Sequence, residues 1–176
     1  MVDESTWEAP RVFAEIQRHG GISDDEMRKV FFDVAGRDLD EPAYEGARTT
    51  LADELLEPSV IYSPAMQALL RQVDVHAAAH VTGGGLASNL ARVLPRNVDA
   101  VVERRTWEQP RVFAEIKRLG EIADDEMAKV FNLGIGMIVV VAPDDVHRAL
   151  DVLRTNGHRA VEIGEVRRGE GGVSLV

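Results

Sequence analysis

Residues 6–31, TWEAPRVFAEIQRHGGISDDEMRKVF, return at 106–131 as TWEQPRVFAEIKRLGEIADDEMAKVF, an offset of 100 with no gap. The two lines agree at 20 of 26 positions and differ at 9, 17, 19, 21, 23 and 28 of the first copy. Each copy reads as a helical pair. In the first, Pro10 suits a first turn, and Val12, Phe13 and Ile16 give a short apolar face that Gly20 and Gly21 stop. Ser23 and Glu26 then make a capping box, and Met27, Val30, Phe31 and Val34 follow at i, i+3, i+4 and i+7 up to Gly36. Two copies fall short of a repeat array, and their sequels differ. Phe31 leads into more helix, whereas Phe131 leads into NLGIG, which does not continue one. The same segment must therefore sit in two different surroundings.

The rest of the chain bounds those surroundings. At 176 residues, 45% of them hydrophobic, it fits one domain with an extension and can bury a core. The longest apolar run, MIVVVA, is far short of the roughly 18–20 residues of a membrane helix, and the acidic start MVDESTWEAP is no secretory signal. The chain has no cysteine, which excludes disulfides, thiolate nucleophiles and cysteine metal sites and makes a cytoplasmic location the expectation. A net charge of −10 argues against a nucleic-acid partner but leaves room for a small anion held by a few local donors.

Along the chain, residues 37–58 read as an irregular surface connection with a helical turn near Leu51–Leu56. Ser63 and Pro64 open a helix through Val73 with Met66, Leu69, Leu70 and Val73 on one side. VHAAAHVT (75–82) reads as a buried strand, Ser88 or Asn89 as the start of the next helix, and DAVVE (99–103) as a strand. MIVVVA (137–142) is a strand, 144–155 a helix stopped at Gly157, and RAVEIGEV and GGVSLV two closing strands. The predicted fold class is α/β (α+β): a mixed β-sheet of four to six strands packed with helices. Trp7 and Trp107 are expected to pack against the repeated helices, and Asp124 and Asp125 to complement a helix dipole.

Two glycine-rich turns are the candidates for chemistry. In AHVTGGGLASNLARVLP (79–95) a strand delivers Gly83, Gly84 and Gly85 to a helix start. Glycine lets backbone approach an anion, and free N–H groups at a helix start point toward it, with Arg92 and Arg96 adding charge. The pattern is neither GxxxxGK[ST] nor GxGxxG, so a tight strand-to-helix turn is an equal reading. In VFNLGIGM (130–137), Asn132, Gly134 and Gly136 precede a strand, as a site-lining loop or as structure alone. His76 and His80 share a strand face, as a metal pair or as core or site-wall histidines. No HExxH and no distinct Ser-His-Asp set is present.

The run from VFFDVAGRDL through ELLEPSVIY, VHAAAHVTGGGLASNLARVLP, the second repeat copy with FNLGIGMIVVV, and EIGEV closely resembles the C-terminal domain of phosphoribosylformylglycinamidine cyclo-ligase, or aminoimidazole ribonucleotide synthetase, over residues 28–176. The resemblance implies that domain's fold and an ATP- and Mg²⁺-dependent ring closure of formylglycinamidine ribonucleotide in purine biosynthesis. It implies that Gly83, Gly84, Gly85 and Asn89 face the phosphate of a phosphorylated ribonucleotide, with Asn132 and Gly134 on the cleft wall. It assigns no catalytic residue, metal or cofactor to this chain, because the family's ATP-binding domain and the serine-asparagine-glycine segment that opens its C-terminal domain have no counterpart here. Residues 1–27 stand in that place as a transplanted segment homologous to 106–127. The expectation is a recombined or engineered chain, inactive alone. Two further readings stay open: a residual phosphate-binding module, and a purely structural domain in which the copies compete and allow a segment-swapped homodimer.

Overall fold

A computed structural model describes residues 36–176. The capping box at Ser23 and Glu26, the Met27–Val34 stripe, the packing of Trp7 and the join near residue 27 lie outside the described residues. The chain divides into two units, Met1–Glu57 and Pro58–Val176.

In the first unit the expected helical turn is present as α1 (Leu51–Leu55). Thr50 caps it reciprocally with Asp53: the Asp53 N–H donates to Thr50 Oγ1 (3.1 Å), and the Thr50 N–H donates to Asp53 Oδ2 (3.0 Å). A single bridge between Pro42 and Thr50 closes the loop before it.

The second unit runs α2 (Ser63–Leu70), β1 (Val75–His80), α3 (Gly85–Ala91), β2 (Val98–Val102), α4 (Arg111–Leu119), α5 (Asp124–Val130), β3 (Met137–Val141), α6 (Val146–Thr155), β4 (Gly164–Arg168) and β5 (Val173–Leu175). The mixed α+β class holds, but the five strands form two sheets rather than one. β1 and β3 pair antiparallel, with Ala79 opposite Ile138 and His80 opposite Met137. β2 lies between β4, antiparallel, and β5, parallel.

Two apolar clusters account for the layering. Ala79, Val81, Leu86, Leu90, Ala100, Val102 and Ile138 join both sheets to α3. Leu69, Val73, Ala149 and Val152 pack α2 and α6 together, with Val139 and Val141 against them. Leu69 is fully buried, and truncating it to alanine is expected to cost about 2–5 kcal/mol.

Several local expectations are corrected. α2 stops at Leu70 rather than Val73; Val73 is still buried in the following turn, but Leu70 is 60% exposed, off the face that Met66, Leu69 and Val73 present. β1 is half-buried: Ala79 is covered while His76, Ala78 and His80 are open, as in an antiparallel pair with one face toward solvent. RAVEIGEV pairs only from Gly164 onward, because Ala160 is tied back toward α6, its carbonyl accepting from Arg154 Nε and its N–H donating to the His158 carbonyl. The helix after the glycines begins at Gly85, because Gly84 takes the left-handed cap conformation (φ 97°).

The second repeat copy forms the α4–α5 hairpin. Lys117 bridges to Asp124 across the turn (2.8 Å), and Asp124, Asp125 and Glu126 occupy the first turn of α5, as the dipole favours. Trp107, just ahead of α4, packs on the cluster that joins the sheets and donates its indole N–H to the Leu133 carbonyl (2.9 Å).

Asp99 on β2 organises the β4–β5 turn, its Oδ1 accepting the N–H groups of Gly172 (2.8 Å) and Glu170 (2.9 Å). These donors, Gly172 first, hold its carboxyl below the usual carboxylate range. A depressed folded pKa gives stability that is present above the unfolded value, about 4, and is lost as pH falls through the folded value. Melting temperature should therefore fall on acidification below about pH 4, and Asp99→Asn should flatten that acid limb in a calorimetric pH series.

Candidate functional site

The AHVTGGGLASN stretch is built around one buried amide. Asn89, one turn into α3 and 2% exposed, donates Nδ2–H to the carbonyls of Gly85 (2.7 Å), Thr82 (3.2 Å) and Gly83 (3.4 Å). Its Oδ1 accepts from the Arg92 guanidinium and, at 3.4 Å, from the Thr82 hydroxyl. A buried side-chain amide needs such partners, and here all but Arg92, at the far end of α3, belong to the turn it anchors. No peptide bond is cis among the described residues. In a trans peptide the N–H opposes the preceding carbonyl, so drawing the Thr82 and Gly83 carbonyls inward turns the N–H groups of Gly83 and Gly84 outward. The Gly85 N–H is already spent on the Thr82 carbonyl (3.3 Å).

The three glycines differ in what requires them. Gly85 is buried at φ 70°, and a Cβ there would overlap the carbonyl of Ala128 on α5. It is the point where α3 and α5 cross in contact. Gly84 needs its conformation (φ 97°) and has Ser88 nearby. Gly83 has neither need: it is exposed, its φ is not positive, and nothing lies within 4 Å of its Cβ position. Nothing in the described residues requires a glycine at that place.

The second candidate loop is largely occupied with itself. Asn132 Oδ1 accepts the Gly134 N–H (3.0 Å), Gly134 (φ 98°) lies against Pro110, and the Leu133 carbonyl takes the Trp107 indole. Leu133 is buried at φ 50°, a conformation that costs a leucine about 1–3 kcal/mol. The loop joins the first site's strand where the Val81 N–H donates to the Gly136 carbonyl (2.9 Å).

His76 and His80 share a face of β1, but four residues of strand separate them by about 13 Å, too far for one ion. Among the described residues no three His, Cys, Asp or Glu side chains group as a metal site, and no helix is long and apolar enough to cross a membrane. His80 instead meets Tyr62 edge-on (ring centroids 5.8 Å), and Tyr62 stacks on His158 (5.6 Å, 23°). The Tyr62 hydroxyl lies over Gly136, where any Cβ would displace it. This trio escaped the sequence reading; its only signals were a tyrosine beside the Ser63-Pro64 helix start and a glycine before a strand.

The family model described as AIR synthase related protein, C-terminal domain, matches residues 10–176. A putative phosphoribosylformylglycinamidine cyclo-ligase of Streptomyces fradiae is 47% identical over 83% of this chain and 80% of its own length. The phosphoribosylformylglycinamidine cyclo-ligase of Myxococcus xanthus is 44% identical over 85% of this chain and 43% of its own length. The chain thus spans less than half of that relative. Among solved structures, the hydrogenase maturation protein HypE of E. coli superposes with a TM-score of 0.52 at 20% identity, over 71% of this chain and 40% of that one, a likeness of fold.

Gly85→Ala should destabilise the domain by about 2–5 kcal/mol, through clash and backbone strain. Asn89→Ala should cost about 2–3 kcal/mol by stranding buried carbonyls. Gly83→Ala should leave the denaturation midpoint within about 0.5 kcal/mol of the parent. Urea unfolding of the three variants checks this order.

Proposed function

The chain belongs to the AIR synthase related protein C-terminal domain family, and we propose on that premise that it is the substrate-phosphate-binding half of a phosphoribosylformylglycinamidine cyclo-ligase. In this reading the Gly83–Gly84 turn receives the 5-phosphate of a phosphorylated ribonucleotide. The observation that carries it is the Asn89 amide, which draws the turn's carbonyls inward and so leaves two adjacent N–H groups facing out. Successive outward N–H groups form an anion-binding concavity, and the Arg92 guanidinium lies on the same amide. Asn89 acts here through the backbone rather than by touching the ligand. Gly85 keeps α3 seated on α5, so that the cap of α3 holds its conformation.

The ring closure that the resemblance implies needs ATP and Mg²⁺, and these belong to the remainder of a full-length enzyme. The described residues hold no acidic cluster fit for Mg²⁺, so no step of that chemistry is assigned to this chain. Alone it binds phosphate and does not turn over. Residues 1–27 remain, in this reading, a transplanted copy of 106–127, and recombination accounts for the repeat better than symmetry does, since the two sequels diverge after Phe31 and Phe131.

Purified protein given formylglycinamidine ribonucleotide, ATP and Mg²⁺ should form no aminoimidazole ribonucleotide; measurable turnover would overturn the division of labour. In an NMR titration, inorganic phosphate should shift the Gly83 and Gly84 amide signals at millimolar concentration. Unmoved signals would remove the phosphate seat.

A further inference from the structure

The ring trio stands at the end of the strand that leads into the glycine turn. His80 ends β1, and Gly83 follows three residues later, within about 11 Å even for extended chain. That interval is of the order of one ribosyl phosphate. Tyr62 reaches this end of β1 from the start of α2, and His158 from the turn after α6. Their rings fix one another: the 5.6 Å stack holds the plane of Tyr62, and His80 stands across its edge.

The trio is more than a packing contact. The Tyr62 hydroxyl makes no hydrogen bond within the described residues, although the ring is half-buried. Gly136 is the residue that leaves room for it. A phenylalanine would stack as well on His158 and would need less of that room, since the Tyr62 Cζ stands 3.0 Å from the Gly136 Cβ position and the hydroxyl closer still. Burial pushes the Tyr62 phenol above its ordinary range, which keeps it a neutral donor at physiological pH. His80 is exposed and its imidazole offers both a donor and an acceptor. Together they present hydrogen-bonding groups of both kinds beside a flat apolar edge, which suits a planar, nitrogen-bearing group.

We propose that Tyr62 and His80 read the nitrogenous substituent at C1 of a ribosyl phosphate whose phosphate occupies the Gly83–Gly84 turn, with His158 as the buttress that positions Tyr62. The inference rests on the reading of that turn as a phosphate seat and adds the other end of the ligand. It makes the domain selective for a ribonucleotide over a bare sugar phosphate.

The test uses the full chain and three probes: inorganic phosphate, ribose 5-phosphate, and 5-aminoimidazole-4-carboxamide ribonucleotide, whose amine and amide sit on a five-membered ring. All three should shift the Gly83 and Gly84 amides, and the ribonucleotide should bind tightest. Tyr62→Phe, which keeps the ring, and His80→Gln should each weaken the ribonucleotide roughly five- to tenfold, the worth of about one hydrogen bond. Both should leave the inorganic phosphate affinity unchanged, a pattern that mere loss of packing would not give. Gly136→Ala should weaken the ribonucleotide as well, its Cβ displacing the Tyr62 hydroxyl and crowding the ring behind it. If no probe moves the turn, the phosphate seat fails and this inference with it. If phosphate binds but the ribonucleotide gains nothing over ribose 5-phosphate, or the variants weaken all probes alike, the phosphate seat stands and this inference is overturned.

Discussion

The side-chain amide of Asn89 is the interaction on which the working end of this domain depends. It is buried, so its hydrogen-bonding capacity must be met from within the protein, and the turn that leads into its own helix meets it. The trans peptide does the rest, converting inward carbonyls into outward N–H groups. A residue that is 2% exposed thus sets which backbone groups the turn points outward. Two of its partners have a second role, which stiffens the arrangement. Thr82 also accepts from the Gly85 N–H, and Gly85 is pressed against the α5 backbone.

That dependence links the sequence's two loudest features, the glycine run and the repeated segment. Met127, Ala128 and Leu133 form a small core under Phe113, Ile116 and Ile122 of the hairpin, and α3 rests on it through Gly85. The second repeat copy is therefore the floor of the glycine turn. The indole of Trp107 ties the front of that copy to the loop that follows it. The segment is a scaffold for the candidate site, while the groups proposed to touch a ligand come from the end of β1, the glycine turn after it and the start of α2.

Much of this was legible in the letters. The strand–glycine–helix order, the α4–α5 hairpin and the MIVVVA strand follow from period, caps and turn residues, which are local properties. What escaped was set by distant partners. The helix after the glycines begins earlier than Ser88 because Gly84 can adopt a left-handed cap, and Gly85 is accommodated only by contact with a residue 43 positions on (128 − 85). Two sheets in place of one follow from strand pairing, which alternation alone does not fix. Only the resemblance places Asn89 at the phosphate; its letter gives no sign that it is buried and hydrogen-bonded to the carbonyls of its own turn. Tyr62 was invisible because its neighbours, His80, Gly136 and His158, are far from it in sequence.

The crossing of α3 and α5 also bears on the difference between the repeat copies. Five of the six differing places in the second copy, Gln109, Lys117, Leu119, Glu121 and Ala123, are exposed or only half-covered, and an exchange there is cheap. The sixth is Ala128, 7% exposed, whose counterpart in the first copy is Arg28. A long cationic side chain in place of that methyl group would have to displace its neighbours in the Met127–Leu133 core or bury an unpaired charge. Two segments that look interchangeable on paper are thus told apart at a single address, where the protein tolerates a methyl group and little else.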